Sequence, residues 1–383
     1  MKVIVHIGMT KSGSTALQHG LSANRKALLA AGYYYPFSEY NSIKHELLGA
    51  AIANTLSTRN LLVRKFKGNK EGVKSKAESW INNVCKQINR HKPHTLILSD
   101  ESMFGALARE GAAQELASLL KGISNDIHIV AYLRSPSAHY LSSSQQRLKA
   151  AYNLRPPRPV AYRNTIESCA RNITGIISLY AYSRKNWPSQ DINEHFASEF
   201  LNGFSLKTKE SADKNTTISA EGMSILADYR KSFHKNSNDV FTKDTGVLLK
   251  ALTEVEHKVG AGRPRLHESL KDAVDHCSVD LLWLRDAYSI VFENINYDLI
   301  SPRDIGFKPH RVEDICTVNE KLRARLALHA LHIFTKRSSW LVTLQDSSMS
   351  QIAALLERTR TLRERLSRSL NLRRTKLLGA KHK

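Results

Sequence analysis

The chain has 383 residues, 42% of them hydrophobic, with 18 glycines and 10 prolines, a balance that fills a globular α/β core and excludes a disordered polypeptide. Its 57 lysines and arginines against 35 acids leave a formal net charge of +22, which favours anionic ligands through long-range steering. Cys85, Cys169, Cys277 and Cys316 have neither CxxC nor Cys/His metal spacing, so neither a zinc site nor a disulfide framework is supported, and no apolar run approaches the ~20 residues of a membrane span.

The sequence enters a strand directly, with no basic and apolar leader, and reads as soluble and cytoplasmic. Val3-Ile4-Val5-His6-Ile7 leads into Gly8-Met9-Thr10-Lys11-Ser12-Gly13-Ser14-Thr15 and then a helix-like Ala16-Leu17-Gln18. Two glycines let this loop wrap an anion closely, and the free N–H groups and positive end of the following helix point at it. The Gly8-x4-Gly13 spacing matches a Walker A loop, yet the place of that motif's lysine holds Ser14, and the lysine stands three residues earlier as Lys11. A nucleoside triphosphatase reaches the terminal phosphates with that lysine. Its displacement argues against ordinary ATP or GTP hydrolysis and for a shorter phosphate chain. Ser14 and Thr15 suit helix capping and anion donation alike, and His6 reads as packed or hydrogen-bonded inside the strand.

A strand at Tyr33–Tyr35 and a helix over 43–54 follow. Residues 58–78, with Arg59, Arg64, Lys65, Lys67, Lys70, Lys74 and Lys76, form a basic, glycine-interrupted stretch read as a mobile loop or cleft rim. A helix over about 76–90 leads to a third apolar strand, Thr95-Leu96-Ile97-Leu98-Ser99, which ends in the paired acids Asp100-Glu101. Another helix over 106–121 leads to the strand Asp126–Leu133, and Pro136 then opens a helix just after Arg134. This alternation predicts a parallel sheet flanked by helices, with right-handed crossovers and with Arg134 and the acids at the strand ends where ligands bind. Pro156-Pro157-Arg158-Pro159 breaks the pattern before a helix over roughly 164–185.

Beyond residue 200 the chain turns helical, with a capped helix after Asn215-Thr-Thr-Ile-Ser-Ala-Glu and helices over 245–258, 266–299 and 318–334. From Gln351 a basic stretch carries Arg358, Arg360, Arg363, Arg365, Arg368, Arg373, Arg374 and Lys376, with leucines at 355, 362, 366 and 370 forming an incomplete apolar face. It reads as a solvated tail, a partner-binding helix or a helix lying peripherally on an anionic inner membrane. The expected division is an α/β core over 1–205, a helical continuation of the same domain over 206–340 and a basic tail over 341–383.

Lys11-Ser12-Gly13-Ser14-Thr15, with His-Ile-Gly before it and Ala-Leu-Gln after it, resembles the 5′-phosphosulfate loop of sulfotransferases that use 3′-phosphoadenosine 5′-phosphosulfate (PAPS), the bacterial sulfotransferase-like branch in particular. Arg134 at a strand end with Ser142 eight residues on is similar to that family's 3′-phosphate motif. The likeness is strong over about 1–150, weaker to about 300 and absent after that. It implies a P-loop-type fold and in-line sulfuryl transfer to an acceptor without a metal. It further implies that Lys11 stabilises charge on the leaving phosphate and that the N–H groups of Ser12, Gly13, Ser14 and Thr15 hold the 5′-phosphate. Arg134 and Ser142 would bind the 3′-phosphate through a planar fork and a neutral donor.

Proton removal from the acceptor falls to Glu101, since the family carries a glutamate at this strand end and a carboxylate in reach serves as a base. Asp100 departs from the family's Ser-Ser-Glu pattern, and His45 and His139 stand as other bases. The blander reading makes Ser99 or Asp100 a helix cap with Glu101 in the first turn. The resemblance and the basic charge make carbohydrate hydroxyls of an anionic or polar glycan or glycolipid the leading acceptor class, with small metabolites, lipids and peptide tyrosine as further candidates. Two other functions fit the residues less well. A P-loop kinase or nucleotide phosphotransferase conflicts with the lysine position. A non-catalytic basic protein binding nucleic acid or a membrane surface lacks any nucleic-acid motif, and its basic residues are dispersed.

Overall fold

The computed structural model describes residues 1–52, 61–182, 187, 191–206 and 217–337. The basic tail, Arg59 and Asn215 lie outside the described residues. In chain order, β1 (Lys2–His6) is followed by α1 (Ser14–Ala23), α2 (Arg25–Ala30) and β2 (Tyr33–Tyr34). Next come α3 (Glu46–Ala51), α4 (Leu61–Lys65), α5 (Lys70–His91) and β3 (Thr95–Ser99). Then α6 (Met103–Ala106), α7 (Ala112–Lys121), β4 (Asp126–Leu133) and α8 (Pro136–Leu148) lead to α9 (Tyr162–Asn172), β5 (Ile176–Ala181) and α10 (Ile192–Phe200). The described residues then form α11 (Ala220–Phe233), α12 (Lys243–Val259), α13 (Glu268–His276), α14 (Asp280–Tyr288) and α15 (Glu320–Arg337).

The described residues form an α/β fold whose five strands pair in the order β2-β3-β1-β4-β5, every pair parallel. Both faces of the sheet are covered, as parallel pairing demands. Val3 and Val5 of β1 and Ile7 just after it, with Leu96, Leu98, Ile129 and Ala131, point into a core that includes Val73, Ala77 and Val84 of α5 and Leu116 and Leu120 of α7. Ile4, Ile97, Val130 and Tyr132 point the other way, onto Leu17 and Leu21 of α1, Leu28 of α2 and Phe196 and Phe200 of α10. The period of two along each strand thus divides the apolar residues between two helical layers.

Three expectations are corrected. The helix expected over 164–185 ends at Asn172, and a fifth strand, β5, takes its second half, pairing His128↔Ile176 through Leu133↔Ala181. Gly175 makes that pairing close, because a Cβ there would overlap the Ile127 carbonyl. The basic stretch read as a mobile loop or cleft rim is helical over Leu61–Lys65 and again from Lys70. Asn69 caps α5 by accepting from Gly72 N at 2.8 Å, and Val73, Ala77, Trp80 and Val84 supply a buried stripe at helical spacing while the lysines stay outside it. The helix expected over 266–299 is two helices, α13 and α14, broken where Ser278 donates its hydroxyl to Val274 O at 2.9 Å. Its last part is irregular up to a 3-10 turn at Tyr297–Leu299.

The chain divides into two compact units that interleave in sequence. The first comprises Met1–His139, Pro159–Ala212 and Val274–Asp304, and the second Tyr140–Arg158, Asp213–Ala273 and Ile305–Lys383. The first holds the sheet. Within the second, α15 packs on α11 and α12. Ser219 caps α11 by accepting from Gly222 N at 3.0 Å, as expected of a capped helix, and is itself held by Glu256 of α12. Arg230 is fully buried there and donates to the carbonyls of Ala150 at 2.6 Å and Ser237 at 2.7 Å. No helix among the described residues is long and apolar enough to cross a membrane.

Gly175→Ala is expected to lower the unfolding free energy by about 1–3 kcal/mol in a urea titration, because an inserted methyl strains a packed contact. Gly105→Ala, where a Cβ meets nothing within 4 Å, is the control and should change stability by under about 1 kcal/mol. Equal stabilities for the two variants would mean that the β4–β5 contact relaxes without cost.

Candidate functional site

Three adjacent strands end together. Asp100 N donates to His6 O at 3.1 Å and Ile7 N donates to Val130 O at 3.0 Å. The loop after β1, the acids after β3 and Arg134 after β4 therefore leave the sheet side by side, about 4.8 Å per strand apart, at the end where open α/β sheets bind ligands.

The loop from Gly8 to Gly13 is wound tightly. Ser12 donates its N–H at 3.3 Å and its hydroxyl at 2.6 Å to Met9 O. Lys11 has φ 69° and Gly13 φ 83°, a left-handed conformation that lysine seldom adopts. Gly13 is the N-cap of α1 and offers no side-chain cap. The N–H groups of Ser14 and Thr15 have no carbonyl within the helix to bond. A Cβ on Gly13 would come within 2.5 Å of the Tyr182 ring and 3.0 Å of Ile192, so this turn runs directly against their side chains.

Arg134 donates from its guanidinium to Lys11 O at 2.6 Å, while its own carbonyl accepts from the Tyr162 hydroxyl at 2.5 Å. The loop after β1 and the end of β4 are thereby tied together. His139 Nε2 lies 3.2 Å from Thr10 Oγ1. Burial, with the charges of Arg134 and Lys11 added, pushes its pKa down to about 4, so the imidazole is neutral in a cationic corner. The first turn of α8 already has its own anion: Asp275 accepts from Ser137 N at 2.9 Å and from its hydroxyl at 2.8 Å.

The paired acids differ sharply. Asp100 is fully buried; it accepts from Gly49 N at 3.2 Å, Ser102 N at 2.9 Å and the Ser102 hydroxyl at 2.8 Å. Burial pushes its pKa up to about 6 against the pull of those Ser102 bonds. It is a structural clamp on α3. Glu101 is half-buried and pairs with Lys44 Nζ at 3.2 Å, which reaches Glu46 at the same distance. Burial alone would lower the Lys44 pKa, but the two carboxylates hold it above its ordinary value. His45 is spent on structure. Its Nδ1 accepts from Ser99 N at 3.0 Å and its Nε2 lies 2.9 Å from Pro36 O, and burial pushes its pKa down to about 3.

Lys11, Ser12, Gly13, Ser14, Thr15, Glu101 and Arg134 thus share one end of the sheet. Ser142 is a half-buried residue of α8 in the stretch belonging to the second unit. Sequence reasoning missed Lys44, Tyr182 and Asp275, whose partners lie far off in the chain and leave no local pattern. The chain matches no family model, no curated protein and no solved structure.

The buried histidines make a pH signature. His6, pushed to about 4 by burial, and His45 take up protons more readily unfolded, so the stability they contribute is lost as pH falls from about 6.5 towards 4. Asp100 works oppositely, since the folded state keeps its proton between about 6 and 4 when the unfolded chain has lost it. The melting temperature is expected to fall over that window in wild type and to fall more steeply in Asp100→Asn. A flat profile from pH 6.5 to 4 would contradict the buried neutral histidines.

Proposed function

We propose that this protein is a sulfotransferase with a P-loop-type fold that moves a sulfuryl group from PAPS to an acceptor hydroxyl. The observation that carries the reading is the union of the anion loop and Arg134. A lysine stands in the loop rather than after it, and a guanidinium is anchored on that lysine's carbonyl at 2.6 Å. Lysine and arginine thus stand at neighbouring strand ends as two cationic residues, which supports a ligand with two anionic groups, as PAPS has in its 5′-phosphosulfate and 3′-phosphate.

PAPS, when bound, supplies the sulfuryl group and leaves as adenosine 3′,5′-bisphosphate (PAP). The residues do the rest. The first N–H groups of α1 and the hydroxyls of Ser14 and Thr15 hold the 5′-phosphate, and Lys11 takes up the charge on the oxygen whose bond to sulfur breaks. Arg134 takes the 3′-phosphate. Glu101 accepts the proton of the acceptor hydroxyl as its oxygen bonds to sulfur. Between the two acids the geometry favours Glu101, because Asp100 is closed off by its own hydrogen bonds. A polar or anionic glycan or glycolipid is the proposed acceptor, in keeping with the net charge of +22.

Calorimetric titration with PAP, AMP and Mg-ATP tests the donor. PAP should bind selectively, and Arg134→Ala should weaken PAP roughly 10- to 100-fold while sparing AMP, the range expected for losing charge-assisted bonds. Tight Mg-ATP binding with indifference to PAP would sink the proposal. In turnover with labelled PAPS, Lys11→Ala should cost about 10² to 10³ in rate. Glu101→Gln should cost about 10² to 10⁴ with PAP affinity intact, and a fully active Glu101→Gln would remove it as the base.

A further inference from the structure

A buried relay lies beneath the loop. His6, the last residue of β1, has no exposed surface. Its Nδ1 is 2.8 Å from Ser99 Oγ, which accepts from Gln18 Nε2 at 3.0 Å. Gln18 stands four residues beyond Ser14 on α1, so the two share a helix face. The other ring nitrogen, Nε2, is buried with no hydrogen-bond partner among the described residues.

That nitrogen faces the loop. A Cβ built on Gly8 would lie 3.1 Å from His6 Nε2, 2.9 Å from His6 Cε1 and 2.6 Å from Ser14 Oγ. The imidazole edge and the serine hydroxyl thus border one small space, which the missing side chain of Gly8 keeps open. Ser14 meanwhile directs its hydroxyl to Met9 O across 3.3 Å, a long bond. Most buried polar groups in native folds are paired, so an unpaired imidazole nitrogen beside a loosely bonded serine asks what completes them.

We infer that His6 is a positioning residue for the anion loop. Gln18 donates to Ser99, Ser99 donates to Nδ1, and the ring therefore carries its one hydrogen on Nε2 and gives it to Ser14 Oγ when an anion arrives. Ser14 then turns its own hydrogen from Met9 O to the bound phosphate or sulfate group. The inference rests on the reading of this loop as the phosphosulfate seat, and it adds a part for a residue that touches no ligand. It also explains why the strand ends in histidine and why residue 8 has no side chain.

Two substitutions separate the nitrogens. His6→Asn keeps a polar atom near Nδ1 for Ser99 and loses Nε2, whereas His6→Gln reaches the Nε2 position. On the full chain, titrated with PAP, His6→Asn should bind about tenfold more weakly and His6→Gln within about threefold of wild type, with the melting transition still cooperative in both. In a Ser14→Ala background the Asn substitution should add no further loss. In the wild type, the ¹⁵N resonance of His6 Nε2 should move when PAP is added, a readout that needs no variant to fold.

Wild-type affinity in His6→Asn, an undiminished extra loss in the Ser14→Ala background, or a stationary Nε2 resonance would each overturn the inference. Wild type that takes Mg-ATP and ignores PAP would overturn the donor assignment alone, and the same variants are then scored with Mg-ATP. Wild type that binds neither probe would overturn both.

Discussion

The parallel pairing of β1 between β3 and β4 is the constraint on which the site depends, because it brings the chain after His6, after Ser99 and after Leu133 to one end of the sheet. A strand paired on both sides has its register set twice. His6 opposite Ser99 and Val130 fixes where the loop, the acids and Arg134 begin. The side chains beyond the strands then need only short local turns to converge. The alternation of Val3, Ile4 and Val5 between two cores holds that register, since a slip of one residue would exchange the faces.

Around this edge the protein supplies its own counter-charges. Asp275 occupies the first turn of α8, Lys44 bridges Glu101 and Glu46, and Arg134 is fastened to a backbone carbonyl. Preorganised charges of this kind need little rearrangement when a ligand arrives, the condition under which electrostatic stabilisation is most effective. The buried histidines follow the opposite rule. His6 and His45 are kept neutral by desolvation, and each is hydrogen-bonded to Ser99 through its Nδ1.

Much of the sheet was legible because its signals are local. Apolar runs ending in Gly8, in Asp100-Glu101 and in Arg134-Ser135-Pro136 mark strand ends by punctuation, and the structure has strands at each. The strand β5 escaped because it lies at the sheet edge, with a mixed burial pattern and one buried residue, Leu179; Gly175 was the available sign of a break. The helical start of α5 was hidden by its lysines, although Asn69 and the spacing of Val73, Ala77 and Trp80 carry it. At the site, the loop residues and Arg134 were readable as motifs, whereas the Lys44 to Glu101 pair spans 57 positions and exists only once the strands have paired.

The interleaving of the two units has a consequence for synthesis. The first unit takes its last segment from Val274–Asp304, and Leu281, Leu284, Ile290, Phe292 and Ile300 belong to the core on one face of the sheet. A ribosome that has delivered all five strands has therefore not yet delivered the residues that finish covering them. For the time taken to add about a hundred more residues, on the order of 5 to 20 seconds at ordinary elongation rates, the nascent sheet carries an unfinished apolar face. Until then α5 and α7, already synthesised, are the cover available to that face.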